Sequence, residues 1–327
     1  MNIKKIAAGL LVLLVGGMIF STLFHIAAGF YDRRSYPVPG RLIDVGGHRL
    51  HLHCLGEGEP TVLLEAGMSG WSVDWALVQP TLAQETRVCT YDRAGYGWSE
   101  PGPLPRDSQH AAADLHALLS GAGIEDDLIL VGHSLGGLFV QYYARTYPEQ
   151  IAGIVLVDSV HPEQSLRMNE EDRARYEGSL RSLTRLSNFL APTGLLRLAG
   201  QPVTTISAKL PDEIRGATRA TGFMSRGYRA LDAEMAAFQQ SQAQVRAAGP
   251  LPAVPLAVLS STLVQDFPPG FNQGSIKNTW DELQADLSRS ATLPQVIAGD
   301  SGHYIHLDRS ELVIQTIQEV IRMADAD

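Results

Sequence analysis

Leu128-Ile129-Leu130-Val131-Gly132-His133-Ser134-Leu135-Gly136-Gly137 passes from a short apolar run into a serine flanked two residues away on each side by glycine. Asp127–Gly132 reads as a buried strand, and Leu135–Tyr147 as a helix stopped by Pro148. The G-x-S-x-G pattern therefore lies on a strand-to-helix turn, the context in which it carries chemistry. The reasons are steric and electrostatic. Gly132 and Gly136 remove side chains that would crowd a tight turn, and Ser134 then projects its hydroxyl above the end of the sheet. The amides that follow open a helix N-terminus suited to a developing anion. An ordinary serine in a glycine-rich turn would not call for the strand before it and the helix after it.

Outward from this turn, short apolar runs alternate with helical stretches, as in α/β proteins. Arg41–Val45 and His48–Cys54 flank a Gly46-Gly47 turn and read as a hairpin. Thr61–Glu65, Arg87–Tyr91, Gly153–Asp158, Val254–Ser260 and Gln295–Ala298 read as strands. Trp71–Gln84, Ser108–Ala122 and Glu311–Met323 read as helices. Between about residues 161 and 250 no strand pattern appears. Charged helical stretches such as Glu170–Leu190 and Ala230–Ala247 predict a helical insertion of about 90 residues, too long for an ordinary loop.

The chain has 327 residues, 45% of them apolar and 19% charged, which excludes wholesale disorder. Ile6–Phe24 is an apolar run interrupted only by Ser21 and Thr22. At that length it predicts a retained membrane helix within residues 1–34, and it is long for the core of a cleaved signal. Ile26-Ala27-Ala28 keeps the cleaved signal open, and a buried helix is the third alternative. Lys4 and Lys5 favour one orientation, Arg33 and Arg34 the other. Those four basic residues against Asp32 give the first 34 residues a net charge of +3, so the remainder carries −12 within an overall −9. That body is unsuited to nucleic acid, which needs clustered Lys and Arg. Two cysteines exclude a cysteine-rich metal module. The sequence contains no phosphate loop or dinucleotide fingerprint, so no cofactor or metal is expected. Oligomeric state is not encoded in any of these patterns.

A serine nucleophile needs a base and two anion-stabilising donors. His303, in Gly299-Asp300-Ser301-Gly302-His303 after the last strand, is the candidate base; His306 competes from three residues on and reads as a packing histidine. His133 reads as turned into the structure, and His161 as lining the cavity or capping the insertion. Leu135 N–H is one candidate oxyanion donor. The second is Met68 N–H, in the Ala66-Gly67-Met68-Ser69-Gly70 loop after the third strand.

With these residues the chain resembles the α/β-hydrolase superfamily, in its lidded, esterase-like branch, over about residues 41–325. Asp92-Arg93-Ala94-Gly95-Tyr96-Gly97-Trp98-Ser99 resembles that family's D-x-R-G-x-G-x-S segment, and Gly302-His303 its catalytic G-H. The resemblance implies a mostly parallel twisted sheet flanked by helices over residues 35–327, with the helical insertion as a cap. The chain departs from the pattern in two places. Ala66-Gly67 replaces the usual His-Gly, and the position after the penultimate strand that usually carries the triad acid is apolar. The resemblance then leaves Asp158, at the end of the preceding strand, as the favoured acid and Asp266 as the alternative. In the resembled fold the second and fourth strands are neighbours, which brings Cys54 and Cys89 within reach of a disulfide and favours export of the body.

Relatives that open epoxides or remove halides carry aspartate at the turn. Ser134 instead implies acyl transfer: attack on an ester-type carbonyl, an acyl-enzyme, then hydrolysis. The same residues would serve a cofactor-free haloperoxidase, an amidase or a carbon–carbon bond hydrolase. A non-catalytic anchored scaffold is the third class. The expected partners are a small ester or acyl substrate and a membrane.

Overall fold

The computed structural model describes residues 3–125, 127–262 and 273–326. Helix α1 (Ile3–Ser35) leads into the hairpin β1 (Arg41–Asp44) and β2 (Arg49–Leu55), followed by β3 (Thr61–Glu65). Next come α2 (Gln79–Leu82), β4 (Val88–Asp92), α3 (Ser108–Ala122), β5 (Leu128–His133), α4 (Leu135–Thr146) and β6 (Ile151–Val157). A purely helical stretch follows: α5 (Gln164–Arg167), α6 (Glu170–Leu190), α7 (Leu195–Leu198), α8 (Asp212–Gly222), α9 (Ser225–Ala236) and α10 (Phe238–Ala247). The chain returns through β7 (Leu256–Ser261), α11 (Gln273–Arg289), β8 (Val296–Ala298), α12 (Ile305–Asp308) and α13 (Ser310–Ala324).

The strands form one eight-stranded sheet in the order β1-β2-β4-β3-β5-β6-β7-β8. Only β2 pairs antiparallel, with β1 and β4; every other pairing is parallel. Parallel strands covered on both faces read as unbroken apolar runs, which is why β5 and β6 were legible without alternation. Their side chains still alternate in space. Leu63, Leu128, Leu130, Ile154, Leu156 and Val258 face one way, against Leu115, Leu118, Val140 and Tyr143 of α3 and α4. Val62, Ile129, Val131, Val155, Ala257 and Leu259 face the other, against Val313, Ile317 and Val320 of α13.

Three elements differ from the sequence reading. The helix expected over Trp71–Gln84 is a single 3-10 turn, Ser72–Trp75, and the short α2. Pro80 lacks the amide a continuous helix would need, and the Ser72 amide is donated to the Asp92 carboxylate at 3.0 Å. Ala230–Ala247 is two helices meeting at Ala237. Helix α11 was not anticipated, although Ile276, Trp280, Leu283 and Leu287 are spaced along one helical face.

Helix α1 is long and apolar enough to cross a membrane, and its first eighteen residues are exposed. Cys54 and Cys89 are direct partners across β2 and β4, with Cα atoms 4.0 Å apart, and are joined by a disulfide.

Candidate active site

Register brings the site together. His133 of β5 pairs with Val157 of β6, so Ser134 and Asp158, the next residue on each strand, leave the same edge of the sheet side by side. Both take positive φ, 52° for Ser134 and 43° for Asp158. Such values cost an L-residue free energy and persist only when the surroundings over-determine them. Here they do. Ser134 N–H donates to the Val157 carbonyl at 3.1 Å, and the Ser134 carbonyl accepts from Gly137 and Val160 at 3.0 and 2.9 Å. Gly132 and Gly136 are required by close approach. A Cβ on Gly132 would stand 2.5 Å from the Gly137 Cα, and one on Gly136 would collide with the Ala66 carbonyl oxygen.

His303 arrives from the loop after β8. Its Nδ1 lies 2.7 Å from Asp158 Oδ2. The Asp158 carboxylate is 1% exposed and accepts three further bonds: Ser261 N–H at 3.0 Å, Ser261 Oγ–H at 2.9 Å and Trp280 Nε1–H at 3.1 Å. Burial alone would raise this carboxyl, but His303, Ser261 and Trp280 outweigh it and hold it below the usual carboxylate range. His133 Nε2 lies 2.9 Å from the His303 carbonyl and fixes the loop from beneath. Burial, followed by the neighbouring His306 and His303, pushes the His133 imidazole well below its ordinary value, so it is neutral. His306 is buried against Trp75 and His133 and is lowered to about 3 by burial and then His303. It is a packing histidine. His161 lies away from this cavity and accepts the Glu163 amide at 2.9 Å.

Ser134, His303, Asp158, Met68 and Leu135 all line one cavity of about 640 Å³. Its walls come largely from the helical insertion, including Leu180, Leu231, Met235 and Phe238. Among the described residues, no acceptor takes the amide of Met68 or Leu135. Asp266 lies outside the described residues. No group of three or more His, Cys, Asp or Glu among the described residues is placed to hold a metal ion.

Arg93, in the Asp92–Ser99 segment, has a larger structural part. Its guanidinium is 2% exposed and donates to the carbonyls of Ala66 at 2.7 Å and Gly67 at 2.8 Å, the two residues before Met68. It also pairs with Glu65 at 2.6 Å and with Glu234 of α9 at 2.7 Å. Glu234 in turn accepts from the Tyr96 hydroxyl at 2.9 Å. One buried cation thus ties the Met68 loop to the sheet and to the insertion. Asp92 beside it accepts from Ser72 and Trp98 amides and pairs with His51 at 3.0 Å, which holds this segment against β2.

Asp74, in the turn after the Met68 loop, is buried next to Arg93 and Asp92, and burial pushes its carboxyl up to about 7. The folded state therefore keeps a proton that the unfolded chain releases near 3.8. Stability contributed by that proton falls as pH rises from about 4 to about 7. Asp74→Asn, which cannot titrate, is expected to gain stability relative to wild type across that window and to show no further gain above it, in thermal melts at stepped pH.

The sequence family described as alpha/beta hydrolase fold matches residues 60–310. The chain belongs to this family. As an α/β hydrolase it is similar to an esterase from Thermogutta terrifontis (22% identity, 87% of this chain and 98% of that one, TM-score 0.60). It is also similar to the epoxide hydrolase CorEH (20% identity, 86% and 98%, TM-score 0.59). At these identities the likeness shows the fold alone. A 2-hydroxy-6-oxo-2,4-heptadienoate hydrolase of Pseudomonas putida (strain ATCC 700007 / F1) is 28% identical over 156 residues, 46% of this α/β hydrolase and 56% of the relative. The chain covers less than two thirds of the length of this and other curated relatives it matches strongly. Neighbours with ester, epoxide and carbon–carbon substrates leave the substrate class to the site itself.

Proposed function

We propose that this α/β hydrolase is a membrane-anchored serine hydrolase that cleaves carboxylic esters through an acyl-enzyme. The observation that carries the reading is Ser134 on a strained turn, in one cavity with a histidine held at 2.7 Å by a buried carboxylate. In this reading His303 takes the Ser134 proton as the hydroxyl attacks the carbonyl. Asp158 orients the ring and stabilises the imidazolium. The amides of Met68 and Leu135 receive the oxyanion, and His303 returns the proton to the departing alcohol. Water, activated by the same histidine, then releases the acid. Residues 161–250 act as the cap that shapes the pocket, and residues 1–34 as the anchor. The Cys54–Cys89 disulfide supports a catalytic body on the extracytoplasmic side, because such bonds persist outside reducing compartments.

Asp158→Asn tests the acid. It is expected to lower kcat on p-nitrophenyl butyrate by about 10³- to 10⁴-fold, since the neutral amide no longer fixes the histidine tautomer. Asp266→Asn is expected to stay within about twofold of wild type; a large loss there, with little at Asp158, would move the acid to position 266. Running carbon–carbon and amide substrates beside the ester series decides the bond: faster turnover of either would replace the ester reading while keeping the triad.

A further inference from the structure

Helix α1 is not a free tether. Ser21, which interrupts its apolar run, is 1% exposed, and its carbonyl abuts Gly194. Thr22 Oγ1–H is shared between the Met18 carbonyl of its own helix at 3.0 Å and the Thr193 carbonyl at 3.3 Å. Further on, Asp32 pairs with Arg197 at 2.7 Å, and the Tyr36 ring covers Gly216. Residues 21–36 thus lie along α7, α8 and the turn before α7, whereas residues 3–20 project beyond the body. The apolar run Ile6–Phe24 rises about 28 Å at 1.5 Å per residue, close to the roughly 30 Å of a bilayer's hydrocarbon core. A bilayer matched to that run ends at the level of Thr193 and Gly194.

The helices at that level are apolar on their outer side. Leu183, Leu186 and Phe189 of α6 recur at helical spacing and are 60%, 54% and 75% exposed; Leu195 and Leu198 of α7 are 37% and 54% exposed. Exposed arginines Arg181 and Arg185 flank them, as is common where a helix lies among headgroups. Leu183 also lines the catalytic cavity, together with Leu196 of α7. The exposed face and the pocket wall are therefore two sides of the same helices.

We propose that this face of α6 and α7 is seated in the leaflet that α1 enters, so that the pocket receives its ester from the lipid phase, an acyl ester held in the bilayer. The proposal rests on the anchored ester-hydrolase reading above and adds its substrate class. Several independent facts point to lipid as the occupant. Helix α7 and the turn before it pack on α1 where the span meets the body, α6 packs on both, and α6 and α7 border the cavity.

The full-length protein, reconstituted in phosphatidylcholine/phosphatidylglycerol vesicles, provides the test. Both native cysteines are in the disulfide, so a single added cysteine carries an environment-sensitive fluorophore. Labels at Phe189→Cys, Leu13→Cys and Arg322→Cys report the face, the span and the distant surface. Nitroxide-bearing lipids are expected to quench the first two and spare the third. Quenching at Leu13→Cys without quenching at Phe189→Cys would overturn the seating and leave the anchor standing. A Phe189→Cys label shielded from water yet unquenched would indicate a protein partner and equally overturn it. No quenching at Leu13→Cys would overturn the anchor and the seating together. For the substrate, Leu186→Glu/Phe189→Glu is expected to lower hydrolysis of a long-chain acyl glycerol in vesicles about 10-fold or more, with hydrolysis of soluble p-nitrophenyl acetate unchanged. Equal rates on the vesicle substrate would overturn the lipid route. Failure of the wild type on both esters would instead overturn the ester reading, and the lipid route with it.

Discussion

Ser134→Ala is expected to reduce ester turnover by roughly 10⁴- to 10⁶-fold and to abolish labelling by a fluorophosphonate probe. The hydroxyl is the only atom lost, so folding should be untouched. Gly132 and Gly136 still admit the turn, and the bonds to Val157, Gly137 and Val160 are made by the backbone of residue 134. What remains is the proposed oxyanion site and the pocket, which would bind the ester without a nucleophile. Wild-type labelling in the variant would remove Ser134 from the reaction altogether. Loss of labelling with retained turnover would point instead to water attacking directly, with His303 as base.

The second large effect concerns stability. Arg93→Met is expected to cost about 3–5 kcal/mol, read as a lower midpoint in denaturant melts of the detergent-solubilised protein. The long apolar side chain fills much of the volume, but it leaves Glu65 and Glu234, 1% and 3% exposed, without their counter-charge. The carbonyls of Ala66 and Gly67 lose their donor as well. Burial already raises the Glu65 carboxyl despite Arg93, so removing the cation drives Glu65 further toward its protonated form. Adding Glu65→Gln and Glu234→Gln to Arg93→Met should recover part of the loss, because unpaired buried charge is then no longer the main penalty. An unchanged midpoint in Arg93→Met would show that the network contributes nothing to the fold.

Strands β5 and β6 were legible because burial on both faces demands unbroken apolar runs, and the Ser134 turn because its glycines have a steric cause that reads directly from residue type. His303 as candidate base rested on chain order, and the structure places it against Asp158 in the cavity that Ser134 lines. Other parts depend on packing that sequence spacing does not display. Trp280 and Ser261, which hold Asp158, lie 122 and 103 residues from it and meet it only through the order of β6, β7 and α11. The helical face of α11 was available as a signal, whereas the indole bond to Asp158 was not. Arg93 was visible as part of a segment, but its role depends on Glu234 arriving from the insertion 141 residues later. The expected helix over Trp71–Gln84 failed because buried Trp71 and Trp75 are fixed by tertiary contacts that override propensity.

If residues 1–34 anchor the protein as proposed, the packing of Ser21 to Tyr36 along the cap also limits how the body can move. A catalytic body on a loose stalk would sweep through the space above a membrane and meet substrates at any height. Here nearly half of α1, residues 21–35, is part of the body's own surface, so in the anchored reading proposed above the span and the body would tilt and rotate together. A shortened chain that begins after Ser35 would not merely be released into solution. It would expose the Gly194 seat, strand Arg197 without Asp32, and unclamp α7, which helps to wall the pocket.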